Sequence, residues 1–302
     1  MAKRVVSHQP ESYLSRSGDT LRAWLFLLPA GLFLGIFVIY PILYLAFLSF
    51  TTGSFTRSGM HGVGWSNYSR LGRDPEFWQV LGNTAYFTIA TTLPSLVIPL
   101  GLAVLLNQVT WKAFLRTAYF IPSVTSLVAV GLGFRWLFQT DGLVNGLIER
   151  LGGVPIPWLS DPVWAMLVMI LFSTWKQIGF NLVVFLAGLQ TIPASRYEAA
   201  ALDGANAWQQ FWYITLPGLR STIGFTTITT VIFTLRSFEQ PYVITGGGPL
   251  NATNLLVFYI YNQAFAQFDF GYAAAAATLL LGIAIGLVYI QLRLTQSDDS
   301  TR

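Results

Sequence analysis

Among the residues of this sequence that could do chemistry, Lys176 is the most informative, because it lies in the middle of a long apolar run, within Trp175-Lys176-Gln177-Ile178-Gly179-Phe180-Asn181. An ammonium at the centre of a membrane span costs about 2.5–3.5 kcal/mol on insertion scales, so it should face a polar cavity or a partner. Gln177 and Asn181 are four residues apart and share a helix face, with Lys176 beside it. Amide and hydroxyl hydrogen bonds, with aromatic rings stacked on apolar sugar faces, hold glycan-like ligands, and Trp175 and Phe180 supply such rings. The competing reading is structural, with Lys176 pairing Glu239 or capping free carbonyls. Arg236 and Glu239 are spaced for an i, i+3 ion pair, more often structural, and also count among the candidate substrate-pathway residues. Arg135 is expected to snorkel, and Asn262 and Gln263 read as loop residues.

Enzymatic chemistry finds little support. No acid–base pair or Ser-His-Asp arrangement is apparent, and Gly246-Gly247-Gly248-Pro249 lacks the Lys-Ser/Thr that a phosphate-cradling loop needs. With Cys 0 and only His8 and His61, which lie far apart, neither a thiolate nucleophile nor a metal site is expected. The chain has 302 residues, 54% hydrophobic and only 10% charged, against roughly 25% charged in soluble domains. Its mean hydropathy is +0.56. It therefore reads as an all-α polytopic membrane protein. The net charge of +4 and pI near 9.4 fit membrane orientation, not nucleic acid.

Six apolar runs are long enough to be spans: about 22–50, 82–107, 117–138, 163–189, 218–238 and 271–292. Segment 1–21 is polar and does not read as a cleaved signal, because the run after it is too long. Pro29 and Pro41 should kink the first span, and Pro94 and Pro99 should break the second. Stretch 51–81 reads as a loop with a short helix near 75–80, 139–162 as a Gly/Pro/Asp loop, and 255–268 as an aromatic amphipathic segment. Six spans put both termini on one side. Lys3, Arg4, Arg16, Arg22, Lys112, Arg116, Arg196, Arg220, Arg293 and Arg302 fall there, against Arg57, Arg70, Arg73 and Arg150 opposite, so the termini should be cytoplasmic. The expected organisation is a cytoplasmic N-terminal segment 1–21, a six-helix domain 22–293 and a cytoplasmic tail 294–302.

Between the fourth and fifth runs lies 194–217, too polar to span. Ser195 and Glu198 are spaced as a capping box. Tyr197, Ala200, Ala201 and Gly204 share one mostly small-residue face, and Asp203-Gly204 is a break signal. A second short helix should place Trp208, Phe211, Trp212 and Thr215 on one face, and Pro217 suits the first turn of the next span. The expectation is a rigid cytoplasmic hairpin tethered to the membrane at both ends.

This stretch resembles the EAA loop of binding-protein-dependent ABC importer permeases. Glu198-Ala199-Ala200, three residues, Gly204, nine residues, Ile214, one residue and Leu216-Pro217 match that pattern at every fixed position. Ile244-Thr245-Gly246-Gly247-Gly248-Pro249 and the aromatic segment after it look like the link between the last two spans in maltose-type sugar permeases, specifically the MalF-like half. The resemblance covers most of the chain from about residue 21, and departs in lacking the additional N-terminal spans and large outer loop of the enteric maltose subunit. It implies a type I ABC importer permease fold with the hairpin as coupling helix, in the inner (plasma) membrane of a prokaryote. The implied partners are a second homologous permease, two ATPase subunits, an extracytoplasmic solute-binding protein, membrane lipid and a sugar. No cofactor is expected on this chain; ATP and Mg belong to the ATPase subunits. Ala199, Ala200 and Gly204 would allow close approach of the motor, and Glu198 could pair with a basic residue there. Glycerol-phosphate permeases are built similarly, and an ion-coupled secondary transporter is the rival from another class. That rival usually needs intramembrane carboxylates or broken helices that bind the coupling ion, and Glu239, near a span end, is the sole candidate.

Overall fold

Runs of Leu, Ile, Phe and Ala interrupted by prolines dictate helices whose breaks carry the interest. The computed structural model describes residues 16–52, 59, 61–107 and 112–299. Lys3, Arg4, His8, Arg57, Arg302 and the start of the 108–116 connection lie outside them. α1 (Arg16–Leu34) passes through a π-helical turn, Gly35–Ile39, into α2 (Tyr40–Leu48). Pro41 cannot donate, and the Tyr40 amide reaches back to Gly35 instead, which produces the wide turn. A two-residue ladder, β1 (Thr51–Thr52) against β2 (His61–Gly62), leads to α3 (Ser66–Arg73).

α4 (Pro75–Leu106) begins where the sequence suggests a loop and a separate short helix. Asp74 caps it, accepting from the Glu76 amide at 2.9 Å, and Pro75 takes the first turn. It is also unbroken at Pro94 and Pro99. Pro99 frees the carbonyl of Ser95, and Asn181 from a neighbouring helix donates to that oxygen at 2.6 Å. A neighbour's side chain thus replaces the missing amide, which is how apolar bundles tolerate internal proline.

The third expected span is not one straight helix. α5 (Lys112–Val124) and α6 (Leu127–Phe138) meet at a sharp break, with 99° between Thr117–Val124 and Leu127–Arg150. Ser126 is extended and caps α6, its hydroxyl accepting from the Ala129 amide. The loop expected at 139–162 contains α7 (Leu143–Arg150). Asn145, only 2% exposed, organises it. Its Nδ2 donates to the carbonyls of Thr140 and Ile156, and its Oδ1 accepts from the Ile156 amide and Trp158 Nε1, all at 3.0 Å. Asn145→Ala strands two donors and two acceptors, at about 1–3 kcal/mol for each that water cannot reach. Limited proteolysis should then cut 151–161 at least several-fold faster, and an unchanged rate would show that the loop does not depend on Asn145.

α8 (Pro162–Gln190) is the central helix, capped by Asp161, packed along α4 and α5 and touched by α12. α9 (Ala194–Leu202) and α10 (Ala207–Gln210) follow; a π turn, Phe211–Thr215, and α11 (Leu216–Gly218) lead to α12 (Arg220–Leu235). A third π turn, Pro241–Thr245, opens the link to α13 (Leu256–Tyr261). Asn262 and Gln263 lie in a fourth, Asn262–Ala266, not in a loop, ahead of α14 (Phe270–Asp299). One apolar cluster joins Phe77, Val80, Tyr259 and Tyr272 at one end of the bundle; another joins Ala103, Leu106, Leu182, Phe185, Leu189 and Leu219 at the other. Among the described residues four helices are long and apolar enough to cross a membrane, Trp24–Leu48, Pro75–Leu106, Pro162–Gln190 and Phe270–Ile290, or five with the bent pair.

Candidate functional site

Three places along α8 and its neighbours carry the predicted residues: the hairpin, a mid-bundle cavity and the 244–256 link. In the hairpin, the expected capping box at Ser195 and Glu198 is absent. The cap falls two residues earlier, at Pro193, so Ser195 is already helical and its hydroxyl is not placed to accept from the Glu198 amide. The box forms instead at α10, where Asn206 Oδ1 accepts from the Gln209 amide at 2.9 Å and Gln209 Oε1 from the Asn206 amide at 2.8 Å. Glu198, freed from a capping role, is exposed together with Ala199 and Asp203, while Ala200 is half-buried. Gly204 has φ +80°. Its amide donates to Ala201 O and that of Ala205 to Ala200 O, a Schellman closure that needs a left-handed residue there.

The hairpin is fastened at its base. Tyr197 OH lies 2.9 Å from Thr215 Oγ1, and Tyr197 and Ile214 pack on the cluster of Leu182, Leu189 and Leu219. The π turn rotates Thr215 away from the expected aromatic face, leaving Trp208 ringed by Phe211 and Trp212, with Trp208 68% exposed. Leu216 and Pro217 begin α11, and the chain kinks at Leu219 before α12.

About 13 residues up α8 from Gln190, roughly 20 Å at helical rise, lies a cavity of about 390 Å³. Lys176, Gln177 and Phe180 line it with Phe120, Ser123, Thr125, Leu127, Thr229 and Phe233. Its wall joins rings to amide, hydroxyl and ammonium groups, the chemistry that holds a polyol with one apolar face. Lys176 is not paired with Glu239. Its Nζ donates to the carbonyls of Pro122 and Thr125, the latter at 2.7 Å, which the α5–α6 break leaves without helical amides. Of the two structural readings of Lys176, the carbonyl cap is the observed one. Trp175 and Asn181 stand apart from the cavity. Trp175 is half-buried against Phe134, with ring centroids 5.6 Å apart, and Asn181 ties Ser95 of α4 and Thr230 of α12 to α8.

Arg236 and Glu239 do not form the expected pair; among the described residues it is Arg70 that meets a carboxylate, that of Asp269. α12 ends at Leu235, so the helical spacing that would bring positions 236 and 239 together is lost. Gly246 and Gly247 take φ +65° and +83°. This link is bolted to α4: Gln79 Nε2 donates to Leu250 O, Asn83 Nδ2 to Asn251 O, and Asn251 Nδ2 to Glu76 Oε1, at 2.7 to 3.1 Å. Thr253 Oγ1 also donates to Gly248 O at 2.6 Å and lies 2.7 Å from Thr245 Oγ1. Sequence reasoning misses the α5 and α12 side of the cavity, Phe120, Ser123, Thr125, Thr229 and Phe233, because nothing local marks residues some fifty positions from Lys176 as its neighbours.

A helical bundle with a polar cavity at mid-height and an exposed hairpin at one end is the build of a membrane transport subunit. The sequence is 39% identical over 287 residues to the lactose transport system permease protein LacF of Rhizobium radiobacter, spanning 93% of this chain and 95% of that one. It is 37% identical to the sulfoquinovosyl glycerol transport system permease protein SmoG of Agrobacterium fabrum, over 93% of this chain and 92% of that one. The fold matches a bacterial ABC transporter that imports the acidic polysaccharide alginate, with TM-score 0.81, 24% identity, and 93% and 98% of the two chains covered. The family model for the inner membrane component of binding-protein-dependent transport systems matches residues 84–295. The chain belongs to that family and is a multi-pass permease with the type I ABC importer fold.

Proposed function

We propose that this chain is one permease subunit of an ATP-driven sugar importer, forms half of its translocation pathway, and is coupled to a separate ATPase through the 194–217 hairpin. The cavity at Lys176, Gln177 and Phe180 is the observation that carries this reading, because it brings rings and polar groups together at mid-height of the bundle. The relatives named for lactose and sulfoquinovosyl glycerol support a carbohydrate as solute. In this reading the bent pair supplies the third crossing and α12 the fifth, six in all, with segment 1–21, the hairpin and the tail 294–302 cytoplasmic. A second homologous permease completes the pathway, two ATPase subunits carry ATP and Mg, and a solute-binding protein delivers the sugar from outside. A related alginate transporter was solved in complex with a pentasaccharide-bound periplasmic protein, which supports that arrangement.

Alternating access then proceeds from the parts in place. Closure of the motor dimer moves the exposed face of α9, and the Schellman closure at Gly204 passes that motion to α10 without a slack joint. The base contacts at Tyr197, Thr215 and Ile214 carry it into the inner ends of α8 and α12. The test is purification from membranes in mild detergent, followed by ATPase assay with candidate sugars and binding protein. Co-purifying ATPase subunits, with hydrolysis stimulated by sugar-loaded binding protein, are the expected result. A lone subunit without ATPase overturns the reading in favour of an ion-coupled carrier.

A further inference from the structure

The α5–α6 break gives its two arms different kinds of attachment. α5 packs along α8, whereas α6 packs on the π turn Pro241–Thr245, on α7 and, more lightly, on α8. The α5 side of the break is unusually well fixed. Ser123 Oγ donates to Lys176 O at 3.0 Å and accepts from the Phe180 amide at 3.2 Å. Gly179 lets the α5 backbone approach so closely that a Cβ there would lie 2.2 Å from Tyr119 O. At the end of α5, the Lys176 ammonium gathers Pro122 O, Thr125 O and Thr125 Oγ1. Beyond that point α6 meets α8 through apolar contact alone, Leu127, Val130, Phe134 and Phe138 lying on Val168 and Phe172 with the Phe134 and Phe172 rings 5.0 Å apart. Among the described residues no side-chain hydrogen bond fixes that contact as it fixes α5, so it can slide. Between the two arms, Thr125 and Ser126 connect them, with Ser126 extended.

We infer that Lys176 is a positioning residue: it pins the last carbonyls of α5 to α8, so that Thr125–Ser126 becomes the hinge about which α6 swings. Its charge is met by carbonyl dipoles at a helix C-terminus, where a cation is favoured, so its N–H groups are engaged by protein in this state. The cavity wall contributed by Phe120, Ser123 and Thr125 is thereby held at one distance from Gln177 and Phe180. Solute is left to Gln177, Phe180, Thr229 and Phe233, and Lys176 acts on transport through the geometry of the wall. The inference rests on the transport reading for its consequence in uptake, but the pinned break itself does not.

The absence of native cysteine allows clean spin labelling. Labels at Trp136 on α6 and Val163 on α8, both exposed, report the swing, and Tyr86 on α4 with Val163 serves as control. In the full chain within its purified complex, Lys176→Met should broaden the 136–163 distance distribution about twofold or more and leave the control pair unchanged, an asymmetry that general destabilisation does not produce. With solute, maximal uptake should fall about tenfold, as misplacement of a positioned wall predicts, with KM within about threefold of the parent. An unchanged 136–163 distribution overturns the proposal. So does a tenfold rise in KM with maximal uptake retained, which marks Lys176 as a direct solute ligand. If Lys176→Met does not assemble, Ser123→Ala is read on the same label pair. It keeps the ammonium but removes the hydroxyl bridging Lys176 O and the Phe180 amide, and a distribution identical to the parent again overturns the idea. The distance measurement needs no solute, so it decides on the hinge even where the transport reading fails.

Discussion

Gly204→Pro is expected to abolish solute uptake while the chain remains in the membrane and the binding protein keeps its affinity for solute. Gly204 sits at φ +80°, and proline is locked near −65°, so the turn between α9 and α10 cannot close around it. The substitution also deletes the amide that donates to Ala201 O. Forcing a proline into such a position costs ~3 kcal/mol or more, which corresponds to about a hundredfold if the hairpin must be intact for each turnover. Gly204→Ala tests the mechanism at lower cost, since a non-glycine left-handed residue costs roughly 1–2 kcal/mol and keeps the amide. Uptake should be graded, with alanine between glycine and proline. Uptake that survives proline would mean that the hairpin does not transmit the motion.

Gly179→Val has the second large effect, and it acts on the bundle itself. The added Cβ would stand 2.2 Å from Tyr119 O and 2.8 Å from Phe120 Cα, both backbone, so no side chain can rotate aside. α5 must move off α8, taking with it the hydrogen bonds of Ser123 to Lys176 O and from the Phe180 amide. Overpacking of this kind costs about 1–3 kcal/mol or more, a fall of roughly 5 °C in Tm for a bundle of this size. Thermal unfolding of the detergent-solubilised complex reads it directly. A parental Tm would show that the close approach of α5 to α8 is not a fixed feature of the bundle.

The hairpin is largely legible in the sequence because its determinants are local. Gly204 after a small-residue helix marks a left-handed stop, and Leu216-Pro217 marks a helix start, whatever surrounds them. Even there spacing alone misplaces the cap, because Ser195 with Glu198 and Asn206 with Gln209 satisfy the same rule, and only the backbone decides which residue is extended. The cavity is half legible. Lys176, Gln177 and Phe180 announce themselves as polar and aromatic groups within an apolar run. Asn181 carries the same kind of signal but serves the carbonyl freed by Pro99, eighty-odd residues away.

The sequence by itself determined the class of the molecule: apolar runs separated by polar links, a charge bias between those links and a hairpin at fixed spacing, all of which depend on one-dimensional pattern and local propensity. The tertiary structure decided what each irregularity is for. Proline breaks a helix only when no neighbour replaces its lost bond, so α4 stays continuous where Asn181 reaches it. The chain bends instead between α5 and α6, and there Lys176 holds the carbonyls that the bend exposes. Whether Arg236 meets Glu239, and whether Lys176 meets a carboxylate or a helix end, depends on where helices terminate and cross. Those are properties of packing, set by contacts between residues far apart in the chain.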